Sequence, residues 1–337
     1  MRAALLALLV AFAPNSPFAQ DTSPAAPATA NAADPAVLDA VLVTGEQPGP
    51  GLWKVSSDDA HVLWILGTQS PLPKKMTWRA REIDGVIAQA QVVIAAPSGQ
   101  FEIGFFRSLT LLPSLLGARK NADGATLQQV LSPQLYARWL ALKSRYLGDD
   151  HGVERLRPMF AAAKLYDSAL DKSGLERDDI TWQRVRKAAK KQRVPIVEPL
   201  VKVPLDDPKQ ALADFKTTAG ALDVSCLEVT ITRLETDLDA MRQRANAWAV
   251  GDIDALRGLP YPDQREACRA ALASNPRLGE KLASIRAQVD AAWLDAAQRA
   301  LAANRVTLAL LPIAELVKPD GRLAQLQAKG YAVEAPE

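Results

Sequence analysis

The side chains that most often carry out chemistry are scarce in this sequence. His61 and His151 are the only histidines among 337 residues, and Cys226 and Cys268 are the only cysteines. A zinc site built on three histidines is therefore excluded, as are four-thiolate zinc sites and thiolate-held iron–sulfur clusters. A serine nucleophile would need one of the two histidines as its base, and no G-x-S-x-G turn presents such a serine. His61 opens an apolar run directly after a turn, and His151 sits in the polar loop GDDHG; both places suit surface histidines. The chain has no G-x-G-x-x-G or G-x-x-x-x-G-K-[ST] loop to cradle a phosphate, and no cofactor motif is read. Calcium-loop spacing of the D-x-D-x-D-G kind is missing as well. One stretch stands out by position, GTQSPLPKKMTW (67–78). Gly67 closes an apolar run, and Thr68 to Ser70 turn out of it ahead of a helical pattern. Loops of this kind at parallel strand ends are where sites are built, although a plain Gly/Pro-rich connection has the same composition.

Charge adds little. Lys plus Arg is 40 and Asp plus Glu is 38, and this near balance gives no reason to expect nucleic acid or an anionic membrane surface as the main partner. The basic run QRVRKAAKKQR (183–193) shares a helix with an apolar stripe of Trp182, Val185 and Ala189, which suits a solvated face on a packed helix. Glu228, Glu235, Asp239 and Arg242 recur at helical spacing, a pattern of exposed ion pairs rather than of paired catalytic carboxylates.

The elements that must position any site follow from periodicity. MRAALLALLVAFAPNSPFAQ has a basic start and an apolar run too short to span a bilayer, so residues 1–19 are expected to be a cleaved signal peptide. Residues 20–50, rich in Ala and Pro, follow as a linker, and 51–337 as the folded domain. Export permits a bond between Cys226 and Cys268, which would close a loop of about 40 residues and contribute roughly 4 kcal/mol; two separate buried thiols are the alternative. LWKV and HVLWIL flank the turn residues SSDDA as a hairpin. Trp78, Ile83, Val86 and Ile87 then mark a helix, and VVIAAP (92–97) a buried strand, together one βαβ unit with parallel pairing. Ser132 and Pro133 start a helix that ends at Gly148. Further helices are expected at 153–172, 178–192, 208–220, 224–250, 262–274 and 276–303, interrupted by a buried strand at 193–200. The chain closes with strand VTLALLPI, helix PDGRLAQLQAKG and strand YAVEA. The expected fold is α/β: a central mixed, largely parallel sheet formed by the N- and C-terminal parts, with a large helical insertion at about 102–303.

The stretch LWKVSSDDAHVLWILGTQSPLPKKMTW followed by AQVVIAAP, and the close RVTLALLPIAELVKPDGRLAQLQAKGYAVE, resemble the two ends of the TraB/GumN family. The resemblance covers about residues 51–335. It implies an α/β core with helical insertions, akin to Tiki-type, erythromycin-esterase-like and ChaN-like folds. In active-looking members, two Gly-x-x-His motifs and an acidic residue meet at the strand ends and suggest metal-dependent hydrolysis, with peptide cleavage in the Tiki-type proteins. Carried over residue by residue, the first motif falls on Gly67, Thr68, Gln69 and Ser70, with serine in place of histidine. The acidic position falls near Ala96. The second motif falls on Pro312, Ile313, Ala314 and Glu315, with proline for glycine and glutamate for histidine.

The resemblance thus implies the fold without the family's metal ligands, and the histidine count agrees with it. The expected function is a periplasmic or secreted protein with a degenerate site, remnants of which are Gly67, Thr68, Ser70 and Glu315. It would bind a peptide, polysaccharide or protein partner. The alternative is a hydrolase of altered chemistry, with Glu315 as general base and Ser70 plus the N–H groups of 68–70 holding an oxyanion. Either way, Ser70 and Glu315 should come together at adjacent strand ends.

Overall fold

The computed structural model describes residues 48–102, 114, 116–177, 179–205, 207–217, 220–259, 268 and 276–336. The expected signal peptide, most of the linker and, apart from Cys268, the helix expected at 262–274 lie outside them.

The expected hairpin forms. Strands β1 (Leu52–Ser56) and β2 (Val62–Thr68) pair antiparallel in the register Trp53↔Ile65, across a turn in which Ala60 takes a left-handed φ of 58°. Helix α1 (Arg81–Gln89) buries Ile83, Val86 and Ile87 of the predicted stripe, while Trp78 precedes the helix, and it leads into β4 (Val92–Ile94). The short strand β3 (Leu72–Pro73) lies between β2 and α1. Near the C-terminus, β9 (Val306–Pro312) and β10 (Ala332–Glu334) complete the framework. With β7 (Ile196–Val197) they make a six-stranded sheet in the order β10-β1-β2-β9-β4-β7. The pairs β2–β9, β9–β4 and β4–β7 are parallel, and the two pairs involving β1 are antiparallel. The mixed, largely parallel sheet is therefore present, built mostly from the two chain ends, with two differences: β7 comes from within the expected helical insertion, and the strand order departs from chain order. The strands of the βαβ unit do not pair with each other, because β9 threads between β2 and β4. Its run VTLALLP is apolar on both faces, as a central parallel strand must be.

Both faces of the sheet are covered. On one, Leu66, Val93, Leu308 and Leu310 meet α1 and α5 (Ile180–Gln192) through Val185 and Ala189. On the other, Trp53, Ile65, Ala309 and Leu311 meet α8 (Leu238–Val250), α9 (Ile253–Gly258) and the long α10 (Pro276–Ala303) through Trp248, Leu256 and Trp293. Alternate residues of β9 serve opposite layers, the period of two made visible.

A second core belongs to the helical region. Helices α2 (Leu127–Val130), α3 (Pro133–Tyr146), α4 (Pro158–Lys172) and α7 (Gly220–Thr236) bury Leu127, Trp139, Leu165 and Leu227 together, and α6 (Pro208–Thr217) lies between α5 and α7 in the chain. Helix α3 begins as its sequence predicts, with Ser132 Oγ accepting from Leu135 N at 3.3 Å and Pro133 in the first turn. Cys226 of α7 is disulfide-bonded to Cys268, 42 residues away in sequence. The single helix expected over 224–250 is interrupted at Asp237, between α7 and α8. The Asp237 carboxylate is ion-paired with Arg233 and Arg244, while backbone bonds from Asp237 N to the Arg233 carbonyl and from Met241 N to the Asp237 carbonyl carry across the interruption. The strand expected at 193–200 is only β7, and it is half-exposed at a sheet edge rather than buried, with Val197 41% accessible. Beyond it, β8 (Leu200–Pro204) pairs in parallel with β5 (Ser98–Glu102), and β3 pairs with β6 (Leu175–Glu176).

Candidate functional site

The register Thr68↔Pro312 places the loops that leave β2 and β9 side by side at the C-terminal edge of the sheet. The strand ends carrying Ser70 and Glu315, 245 positions apart in the chain, are thus adjacent through strand pairing alone.

In the first loop, Gly67 is a packing requirement. A Cβ there would lie 2.4 Å from Ile313 Cδ1 and 3.2 Å from Leu316 Cδ1, inside van der Waals contact. Its carbonyl accepts from the indole N–H of buried Trp248 at 2.6 Å, tying the strand end to α8. Thr68 is half-buried and the Gln69 side chain is buried. Ser70 is exposed, and its hydroxyl donates to the carbonyl of Arg177 at 3.2 Å. That carbonyl is delivered by the β3–β6 pairing, Leu72↔Glu176, which clips the loop to the helical region. Two residues further, Asp179 caps α5, accepting from Trp182 N at 2.8 Å. Burial pushes its carboxyl above the usual carboxylate range, and the capping N–H groups oppose this. Ala96, at the end of β4, contributes a half-buried methyl that packs on the sheet core.

The second loop turns straight into α11 (Ile313–Leu316), with Pro312 as its N-cap residue. Glu315 is half-buried, and both of its oxygens are engaged. Lys318 Nζ donates to Oε1 at 2.6 Å, and Arg322 Nη1 stands 3.3 Å from Oε2. Arg322 is buried at the start of α12 (Arg322–Ala328), is ion-paired also with Asp290 of α10, and lies 6.0 Å from the ring of Trp293. Gly321 lets this turn close, since a Cβ there would meet the Glu315 carbonyl at 2.4 Å. Glu315 thus belongs to a Lys318–Glu315–Arg322–Asp290 network, while Ser70 is held by Arg177. The strand ends meet, and the two side chains take separate partners.

The histidines stand apart from both loops. His61 precedes β2 at the opposite sheet edge, with Nδ1 2.7 Å from the Leu301 carbonyl, and His151 is exposed in its loop. The family metal implied by the resemblance finds no fitting donor set: a committed hydroxyl, a methyl and a carboxylate already held by two cations. Those cations would also repel a metal ion. Among the described residues, no three His, Cys, Asp or Glu side chains gather where they could hold one.

Beside the second loop opens a cavity of about 550 Å³. Residues 316–319 form one wall, and Trp53, Leu323 and Val333 supply apolar surface. Arg257 and Lys318 are its charged lining, and no carboxylate lines it. The Asp254 partner of Arg257 is itself 94% exposed, so that ion pair is weak in water. Sequence reasoning missed Trp248, Arg257, Asp290 and Arg322. Each lies on another element and reaches the site only through packing, so no local pattern marks it.

No curated protein and no solved structure matches the chain. The model of the TraB/PrgY/gumN family matches residues 51–335, from the start of β1 to the end of β10, and so takes in both loops and the network around Glu315. The chain belongs to the TraB/PrgY/gumN family.

Proposed function

We propose that this protein is an exported family member that has lost the catalytic centre and works by binding. In this reading residues 1–19 are a cleaved leader, 20–50 a linker and 51–337 the working domain. The Cys226–Cys268 disulfide supports export, because oxidising compartments are where such bonds persist. Among the described residues, no helix is long and apolar enough to cross a membrane.

The observation that carries the binding reading is the cavity against residues 316–319, the segment directly after Glu315. Apolar walls beside Arg257, with Lys318 at hand though already paired with Glu315, suit an apolar group bearing a negative charge, such as one presented by a peptide, a polysaccharide substituent or a protein partner. The altered-hydrolase reading asks more of Glu315. Its Oε1 already accepts from Lys318 and its Oε2 is ion-paired with Arg322, so a substrate proton would have to compete with both cations for it.

Isothermal titration with zinc and manganese tests the lost centre. No stoichiometric binding is expected; tight one-to-one binding abolished by Ser70→Ala and Glu315→Ala would overturn it. Native mass spectrometry against peptide and oligosaccharide libraries tests the cavity. Hits should be lost in Ala324→Trp, which fills it, and hydrolysis of a library member that vanishes in Glu315→Gln would favour the enzyme instead.

A further inference from the structure

Helix α5 carries a second surface, on the outside of the sheet layer it covers. Thr181, Val185 and Ala189 are buried along one side. Arg184, Arg186, Lys187, Lys190 and Lys191 are all exposed, and at about 100° per residue they fall on one continuous arc opposite that stripe. Arg193, exposed in the left-handed cap, extends the arc past the helix end. Arg184 is paired with Asp84 of α1. For Arg186, Lys187, Lys190, Lys191 and Arg193, no ion pair is found among the described residues.

This arrangement works against the helix. Arg186 with Lys190, and Lys187 with Lys191, are like charges one turn apart, which destabilises an isolated helix. The helix dipole offsets this for Lys190 and Lys191 in the last turn, but not for Arg186 and Lys187 further back. A whole-chain charge of only +2 means the excess is local to this face.

The chemistry of the arc selects its partner. Ile180 within the arc and Trp182 at its margin are both half-buried against the sheet cores, so the arc presents no fully exposed aromatic ring or large aliphatic side chain. Specific protein interfaces are centred on such groups, with lysine depleted, and single-stranded nucleic acid is held by stacking on aromatics. A layer of lipid phosphates needs neither, because a row of cations on a helix face is drawn to it by charge alone. We propose that the α5 arc docks the protein peripherally on an anionic phospholipid surface, without insertion.

Co-sedimentation of the full chain with vesicles decides this. One set holds equal parts phosphatidylcholine and phosphatidylglycerol, the other phosphatidylcholine alone. Binding is expected only to the anionic set, and it should vanish when ionic strength reaches about 1 M, where charges are screened within about 3 Å. Each cation contributes about fivefold, so the quadruple variant Arg186→Gln, Lys187→Gln, Lys190→Gln, Lys191→Gln should bind several-hundredfold more weakly, at roughly that scale. Replacing the three lysines by arginine should preserve binding. Circular dichroism checks that each variant keeps its helices. Equal binding to neutral vesicles, undiminished binding by the folded quadruple variant, or capture by soluble polyglutamate without vesicle binding would each overturn the proposal.

Discussion

The loops after β2 and β9 leave the same sheet edge one strand apart, and they are held by different forces. The first is fixed by shape. Gly67 is crowded by Ile313, Leu316 and Trp53, and its carbonyl is bonded to Trp248. The second is fixed by charge, with Glu315 between Lys318 and a buried Arg322 that is anchored in turn on Asp290. Steric contact in a close-packed core tolerates almost no change of residue. An ion-pair network can be rebuilt around a new side chain if a counter-charge lies within reach. Gly67 is thus held by the fold, and Glu315 by its charged neighbours.

The largest effect should come from Trp248→Ala, which removes a fully buried ring and orphans the Gly67 carbonyl. A loss of about 3–5 kcal/mol in chemical denaturation is expected; a loss within error would mean the first loop is not held from α8. Removing the disulfide with Cys226→Ala and Cys268→Ala should cost about 2–5 kcal/mol. Gly67→Ala should cost about 1–3 kcal/mol by overpacking. Arg322→Met leaves Glu315 and Asp290 without their shared cation. Both carboxylates are partly exposed, so about 1–2 kcal/mol is expected, less than for a fully buried pair. If Arg322→Met proved as costly as Trp248→Ala, charge would be holding the second loop as firmly as shape holds the first.

The smallest effect is a pH dependence at the first loop's neighbour. Burial raises the Asp179 carboxyl in the folded state. The folded chain therefore binds the proton more tightly than the unfolded chain. The resulting stability is present below the unfolded value and is lost as pH rises through the folded one. Asp179→Asn keeps a good cap and removes the titration. Its denaturation midpoint should gain on wild type as pH climbs out of the acid range, and parallel pH profiles would refute the assignment. Asp223, raised mainly by burial and lowered by its Arg157 partner, titrates in the same direction and is the background to subtract.

Much of the scaffold was legible in the residues. The period of two in LWKV and HVLWIL, the unbroken apolar run of β9, the Ser132–Pro133 start of α3 and the limits of α10 all follow from local chemistry. The interruption at Asp237 was not, because no glycine or proline marks it and its carboxylate is held both by Arg233, one turn back, and by Arg244 of α8. The shortness of β7 was not either, since a run of Val, Pro and Ile is equally apolar at a sheet edge and at its centre.

By itself the sequence determined the opening hairpin, the apolar strand β9, helices α1, α3 and α10, and where histidine is absent. Helical and strand periods are local properties, and a chain with two histidines, both away from the motif positions, has no imidazoles there to place. Only the tertiary structure decided the partnerships: β9 threading between β2 and β4, and Arg322, the neighbour of Glu315, meeting Asp290 of α10. The physical reason is reach. Local patterns act over a few residues, whereas strand register and buried ion pairs join segments tens to hundreds of positions apart, where only the packed fold brings them within bonding distance.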